Sequence, residues 1–151
     1  MPPSEGSPNG SNASTGPPDR QTLRLLERTL ASNPLVAATE FEPDTYEPRS
    51  LRAVLDADRY PDSVTAARVD VRWFTTGDFS IHYVEDRGDG RWECRWDRHP
   101  NPHNARDHFH PPPKASQTDA ADDQWPPDHR DVCRLVLDFV EARVTNLWKQ
   151  R

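Results

Sequence analysis

Three short segments in the middle of the chain alternate strictly between apolar and polar residues, and two tight turns join them. The segments read ARVDVRWF, FSIHYVE and RWECRWD, and the turns read TTGD and DRGDG. A residue period of two is the pattern of a half-buried β-strand, and Gly- and Asp-rich turns of this length join antiparallel neighbours. The sequence therefore predicts an antiparallel β-meander with one face toward a hydrophobic core and one polar face.

Helical periodicity flanks this meander on both sides. Asp19 is placed to cap a first helix in DRQTLRLLERTLAS, and Pro34 marks its end. Asp128 is placed to cap a second helix, whose apolar stripe runs to Leu147 and should lie across the apolar face of the sheet. The segment LVAATEFEPD predicts a further strand, whereas LRAVLDADRYP fits either a strand or a short helix.

These segments together predict an α+β fold. Its parts are an N-terminal helix, an antiparallel meander of about four or five strands, a long Pro/His loop and a C-terminal helix packed on the sheet. Residues 1–18 are rich in Pro, Gly, Ser and Asn and predict a disordered tail. The 151-residue length suits one domain, which we expect over residues 19–151, with a flexible loop at about 111–125.

Composition indicates where in the cell the protein acts and at what salt concentration. No apolar run is long enough for a membrane span, and the N-terminus has no cationic start before an apolar run, so we expect a cytoplasmic protein with no membrane partner. The net charge is −6, Asp exceeds Glu and Arg exceeds Lys, a bias that suits concentrated salt, as in halophilic archaea. Because salt screens exposed charge, an acidic total argues only weakly here against binding RNA.

The two cysteines predict buried, reduced thiols. Cys94 alternates with Trp92 and Trp96 on the core side of the third strand, and Cys133 falls in the second helix. The chain has neither a CxxC motif nor a Cys/His zinc pattern. The tryptophans of the meander, including Trp73, are assigned to the core for the same reason.

The polar face of the predicted meander carries the groups that could do chemistry. Arginine offers a planar donor fork for phosphate, and histidine exchanges protons near neutral pH. A base, an acid and a cation are what metal-independent RNA cleavage requires. The plainer interpretation is a solvated face with cross-strand ion pairs. If the strands pair as predicted, this face and the adjoining loop bring together Arg72, His82, Arg95, Asp97, His99 and His103, with Asp70 and Glu93 as the ion-pair partners.

The histidine-rich segment allows a different chemistry. His108 and His110 are two residues apart in an extended stretch, so both rings should lie on one side, and His103 and Asp97 could complete a set of zinc-like ligands. The spacing matches no familiar zinc signature, and prolines crowd both ends. A metal-binding protein using these histidines and His99 is therefore an alternative, while the main prediction includes no metal and no cofactor.

The segment FSIHYVEDRGDGRWECRWDRHPNPHNARDHFH resembles the central pattern of the TumE-type toxin family of prokaryotic toxin–antitoxin systems. In that family an aromatic-rich strand ends in an acidic–Gly turn, and the next strand ends in Arg-aromatic-Asp before Pro-His and a second His cluster. The resemblance is confined to about residues 79–110. Its matching positions are Tyr83, Asp86, Gly90, Arg95, Trp96, Asp97, Pro102, His103, His108 and His110.

The resemblance implies a toxin-like component of a toxin–antitoxin pair, with an antitoxin protein as partner and RNA as a substrate. Joined to the polar face, it gives the hypothesis of a metal-independent ribonuclease. The predicted catalytic residues are His82, Arg95, Asp97 and His103, and the predicted substrate-binding residues are Arg72, His99, His108 and His110. The alternative from a different class is a non-catalytic intracellular protein-interaction module of a halophilic archaeon.

Overall fold

The fold is an antiparallel sheet with two α-helices on one of its faces. A computed structural model describes residues 16–100 and 105–150. The helices are α1 (Arg20–Ala31) and α2 (His129–Lys149), and a 3₁₀ turn spans Ala57–Arg59. The strands are β1 (Val36–Glu42), β2 (Ser50–Leu55), β3 (Val64–Trp73), β4 (Phe79–Arg87), β5 (Gly90–Arg98), β6 (Asp107–His110) and β7 (Ala121–Asp122). They pair antiparallel in chain order, which confirms the predicted α+β class.

Both helices begin at the residues that the sequence marks as caps. The Asp19 carboxylate accepts from the Thr22 amide at 3.0 Å, and the Asp128 carboxylate accepts from the Arg130 amide at 2.9 Å. Capping satisfies backbone donors that a helix start otherwise leaves unpaired. The apolar stripes of both helices are buried: Leu23, Leu26 and Leu30 in α1, and Val132, Val136, Val140, Val144 and Leu147 in α2.

The core lies between these helices and one face of the sheet. Val69 is opposite Tyr83, and Tyr83 is opposite Cys94, so one buried row crosses the three central strands. Trp96 and Cys94 are buried as the alternation predicts, and both cysteines are free thiols. The ambiguous segment after residue 50 forms β2, which pairs with β1 and β3.

One charged pair crosses the core between the sheet and α2. The Glu85 carboxylate is fully buried and accepts two bonds from Arg143, at 2.7 and 2.8 Å. It also accepts from the Tyr83 hydroxyl at 2.6 Å, and the Arg143 guanidinium stacks 3.6 Å over the Trp92 ring. A buried carboxylate needs such partners, since it has lost its hydration. The network fixes how α2 lies on β4 and β5.

The sheet has seven strands instead of four or five, because part of the predicted Pro/His loop forms β6 and β7. In β6, Phe109 lies opposite Trp96 and its ring packs near those of Trp125 and Phe139. A four-residue strand is too short to show a period. Cross-strand pairing with β5 and packing of the partly buried Phe109 ring therefore decide its conformation.

Two predicted flexible segments stay predictions. Residues 1–15 of the predicted tail lie outside the described residues, whereas the Pro17 carbonyl accepts from the Thr75 amide at 2.9 Å. In the segment 111–125, the Pro113 carbonyl accepts from the Glu93 amide at 2.8 Å, and β7 pairs with β6. Neither α1 nor α2 combines the length and the hydrophobicity that a membrane-spanning helix requires.

Candidate functional site

The strand register places the predicted site residues on one face of the sheet. Directly opposed residues of antiparallel strands point to the same side. One row consists of Asp70, His82, Arg95 and His110, and the adjacent row consists of Arg72, Ser80, Asp97 and His108. Arg72, His82, Arg95 and Asp97 therefore share the face opposite the core, as the alternation predicts.

At its β5–β6 end this face is closed and not solvated. Asp97 is 1% exposed, and His108 and His110 are both 0% exposed. The two imidazoles lie under chain segments that precede and follow β6, because His108 Nδ1 is 3.1 Å from the Ala105 carbonyl and His110 Nδ1 is 3.3 Å from the Ser116 carbonyl. Because both side chains are buried, His108 and His110 are not positioned to contact a substrate directly.

Asp97 is the centre of a dense polar cluster. Arg95 Nε–H donates to both of its carboxylate oxygens, at 3.0 and 3.2 Å. The Nε2 atom of His110 lies 3.0 Å from Oδ2, and those of His99 and His108 each lie 3.6 Å away. Burial by itself would raise the pKa of Asp97, but the surrounding imidazoles and the Arg95 guanidinium hold it far below its usual range. The carboxyl is therefore a permanent negative charge.

A backbone carbonyl orients each of the three imidazoles. His99 Nδ1 is 3.0 Å from the Pro100 carbonyl. The Nδ1 atoms of His108 and His110 lie 3.1 and 3.3 Å from the carbonyls of Ala105 and Ser116, respectively. Since a carbonyl only accepts, Nδ1 of each ring is the donor, and Nε2 faces Asp97. The Nε2 atom of His108 is buried and has no hydrogen-bond partner among residues 16–100 and 105–150.

A cleft of about 210 Å³ opens beside this cluster. Arg72 reaches it from β3 and Arg95 from β5, and the carboxylate of Asp97 and the ring of His99 form its inner wall. Arg72 is exposed and lies over the Phe74 ring at 5.5 Å. Two guanidinium groups beside an aromatic wall suit one phosphate and an attached ring. The lining residues are Arg72, Phe74, Phe79, Ser80, Arg95, Asp97 and His99.

His82 lies next to this cleft and not in its wall. It is opposite Arg95 in the register and two residues along β4 from Ser80, which lines the cleft. Its Nε2 is 2.7 Å from Glu93 Oε1. If Nε2–H donates to that carboxylate, the neutral ring carries its lone pair on Nδ1. Glu93 therefore orients a potential base.

The ion pairs of the polar face differ from those that the plainer interpretation names. Asp70 binds Arg52 at 2.7 Å and Arg68 at 3.0 Å, and not Arg72 or Arg95. Arg95 binds Asp97 instead. Arg72 therefore keeps its guanidinium at the cleft, where it can bind an anion.

Several members of the site had no sequence signal. The alternation assigns Phe79 to the core and gives no role to Phe74, and the Ala105 and Ser116 carbonyls are backbone groups that any residue supplies. The alternation of β4 did place Ser80 on the polar face. His103, a predicted catalytic residue, lies outside the described residues.

Three of these side chains are close enough to hold one metal ion. The ligand atoms of Asp97, His99 and His108 all lie within 4.8 Å of one another. His103, which the sequence offered as a ligand in the same set, is not among the described residues. Two imidazole nitrogens and one carboxylate are a ligand set found in zinc and iron enzymes.

The model of the family described as Toxin TumE matches residues 23–144 of the chain. The match begins in α1 and ends in α2, so it extends well beyond residues 79–110 and includes both rows of the polar face. Comparisons with curated proteins and with solved structures find no match.

Proposed function

Because the chain belongs to the TumE toxin family, we propose that it is the toxin of a toxin–antitoxin pair and that it cleaves RNA in the cleft between Arg72 and Arg95. The family match supports the toxin role. Cleavage of RNA is supported by one observation, the convergence of two guanidinium groups from different strands on a single phosphate-sized cleft. An RNA substrate also implies action inside the cell.

The two arginines have different parts in this proposal. Arg95 is held in place by Asp97, so its guanidinium is already oriented when the substrate arrives. Arg72 is exposed and closes on the phosphate from the other side of the cleft. Charge developing on the phosphate oxygens is stabilised by these two guanidinium groups.

His82 is the proton acceptor in this proposal. Glu93 accepts from Nε2–H, which leaves Nδ1 to take the proton of the ribose 2′-hydroxyl as that oxygen attacks phosphorus. The bond from phosphorus to the 5′ oxygen breaks, and that oxygen takes a proton from solvent or from a second acid. Because His82 takes the proton of the ribose 2′-hydroxyl, this step needs no metal ion bound to that oxygen.

The test is controlled expression of the wild-type protein and of Arg72→Ala, followed by incubation of the purified proteins with RNA. Wild type should slow growth and cleave RNA, and Arg72→Ala should lower the cleavage rate by about 10²-fold while leaving the fold intact. Arg91→Ala is the matched control, since Arg91 is exposed on the same strand as Arg95 but outside the cleft. It should cleave RNA like wild type.

The antitoxin is tested separately. The product of the gene next to this one should restore growth when it is expressed with the toxin, and it should bind the purified toxin. A wild-type protein that neither slows growth nor cleaves RNA, at low or high salt, would overturn the ribonuclease proposal. Growth arrest without RNA cleavage would support the toxin role and contradict RNA as the substrate.

A further inference from the structure

We propose that Asp97, His99 and His108 bind one divalent transition-metal ion at the inner wall of the cleft. Asp97 comes from the end of β5, His99 from the chain directly after it, and His108 from β6. The strand pairing that places Asp97 opposite His108 is therefore what assembles the ligands. The ion binding itself does not rest on the proposed function, but any use of the ion in RNA cleavage does.

The imidazole lone pairs of the two histidines face the same carboxylate. Nδ1–H of His99 donates to Pro100 and Nδ1–H of His108 donates to Ala105, so Nε2 carries the lone pair in each neutral ring. Both lone pairs then face the Asp97 carboxylate, which is itself an acceptor. Acceptors directed at one another repel unless a cation lies between them.

The position of His108 Nε2 also favours a bound ion. At 3.6 Å from Asp97 Oδ2, His108 Nε2 is beyond hydrogen-bond length, and its side chain is 0% exposed. A buried nitrogen without a partner is rare in a folded protein, and a bound ion accounts for it directly.

The distances from the Asp97 carboxylate to the two histidines fit a metal ion, and the two imidazole nitrogens have to move closer together when it binds. With bonds of about 2.1 Å, the ligand atoms of a tetrahedral ion lie roughly 3.4 Å apart. The two distances from Asp97 Oδ2 to the histidine nitrogens are both 3.6 Å, and no pair exceeds 4.8 Å. The rings of His99 and His108 are nearly perpendicular, at 86°, so they can approach the ion without stacking on each other.

The surroundings also have the character of a metal site. The Pro100 and Ala105 carbonyls fix the tautomer of the two ligands, as the outer partners of metal-bound histidines commonly do. Arg95 holds the carboxylate in place through Nε and also donates to His110 Nε2 at 3.1 Å. Because Asp97 and His99 also line the cleft, the remaining coordination position faces it, and a water or a phosphate oxygen can complete the shell there.

The neighbouring Arg95 lowers the affinity of the site for a metal ion and favours an anionic fourth ligand on that ion. It shares the Asp97 carboxylate with the ion, so one negative charge has to balance an arginine and a dication. An anionic fourth ligand relieves that excess of positive charge. We therefore expect inorganic phosphate to strengthen ion binding, which relates the site to the anion-binding arginines of the cleft.

The experiment uses the full chain without a histidine tag, stripped with a chelator and titrated with zinc. Calorimetry and elemental analysis should give one zinc per chain, and cobalt in its place should give the visible absorption of a low-symmetry site. His99→Gln should weaken zinc binding at least tenfold. His129→Gln is the matched control, because this half-buried histidine lies at the start of α2, away from the cluster, and it should bind zinc like wild type.

Thermal unfolding with and without zinc tests the ion site even if a substitution destabilises the protein. Saturating zinc should raise the melting temperature of wild type and of His129→Gln, and not that of His99→Gln, because only an ion bound to the native state stabilises it. Absence of stoichiometric zinc, or zinc binding unchanged by His99→Gln, would overturn the ion site.

RNA cleavage by the same preparations separates the two proposals. Zinc binding without RNA cleavage, in both the stripped and the loaded protein, would support the ion site and contradict the ribonuclease proposal. RNA cleavage without zinc binding would support the ribonuclease proposal and contradict the ion site.

Discussion

At the level of single residues, the buried carboxylate of Glu85 is the group whose loss we expect to destabilise the fold most. Glu85 lies on the core face of β4, where the alternation calls for an apolar residue, and it is fully buried. Arg143 and Tyr83 satisfy it. A buried ion pair of this kind contributes little net stability over an apolar pair, but removal of one partner leaves the other charge uncompensated.

The Glu85–Arg143 pair therefore gives a sharp prediction. Glu85→Gln keeps the volume and removes the charge, so we expect the free energy of unfolding to fall by about 3–5 kcal/mol. Glu141→Gln changes the same residue type on the exposed side of α2 and should alter it by less than about 0.5 kcal/mol. Denaturant unfolding measures both. A loss for Glu85→Gln as small as that of the control would contradict the role of the pair.

The buried thiols give a pH dependence with a defined sign. Burial raises the pKa of the Cys133 thiol to about 11, against about 8.5 in an unfolded chain. The unfolded state loses this proton first as pH rises, so the stability that the thiol contributes is complete below about pH 8.5 and is lost toward pH 11.

Unfolding of wild type between pH 8 and 10 should thus show stability falling by up to about 1.4 kcal/mol per pH unit for this group. Cys133→Ala should reduce that slope, while Cys94, whose thiol pKa burial also raises, keeps its own contribution. At pH 8 a thiol reagent should modify neither cysteine in the native protein and both after unfolding. Rapid labelling of Cys133 in the native protein would show that this face of α2 is not buried against the sheet.

At the level of elements, β6 and β7 depend on one anchoring side chain. Arg98 donates to Asp107 at 2.8 Å and to the Trp125 and Pro126 carbonyls at 2.9 Å each. It joins the end of β5 to the start of β6 and to the chain that leads into α2. The path of the segment that the sequence predicts to be loop therefore depends on a residue outside it.

Removal of this anchor should loosen the segment without unfolding the protein. In Arg98→Ala we expect faster hydrogen exchange across residues 105–126 and unchanged exchange in β3 and β4, because the lost bonds all lie at the β5–β6 edge. Arg91→Ala, at the other end of β5, is the control and should leave residues 105–126 as in wild type. Equal exchange in wild type and Arg98→Ala would mean that Phe109 packing alone holds the segment.

At the level of the whole molecule, the two faces of the sheet have separate tasks. Both helices pack on one face and form a single hydrophobic cluster with it. The other face carries the arginines and histidines of the cleft. Because the net charge is −6, the attraction of a phosphate must come from the local arginines and not from the total charge of the chain.

The N-terminal boundary of this molecule can be tested by truncation. Deletion of residues 1–15 should leave the melting temperature unchanged if the predicted tail is disordered. Deletion through Asp19 removes the cap of α1 and the bond from the Asp19 amide to the Trp73 carbonyl, and should cost about 1–2 kcal/mol. Thermal unfolding distinguishes the two, and a large loss from the first deletion would show that the tail packs on the domain.

Sequence periodicity was sufficient for the layers of this fold. The alternation in β3, β4 and β5 determined which residues face the core, and the leucine and valine stripes determined the buried sides of α1 and α2. These patterns are local, because burial of one face requires a fixed residue period along each strand or helix. The same alternation placed Arg72, His82, Arg95 and Asp97 together on the opposite face.

Tertiary structure decided which of those polar groups meet solvent and which meet one another. Nothing in the pattern of β5 shows that Asp97 is buried, because the chain that closes over it comes from β6 and its flanking carbonyls. His108 and His110 become partners of Asp97 only through the pairing of β6 with β5. The sequence alone determined the fold class and the polar face. The closed carboxylate–imidazole cluster was decided by long-range contacts, because hydrogen bonding and burial there depend on segments that are not neighbours in the chain.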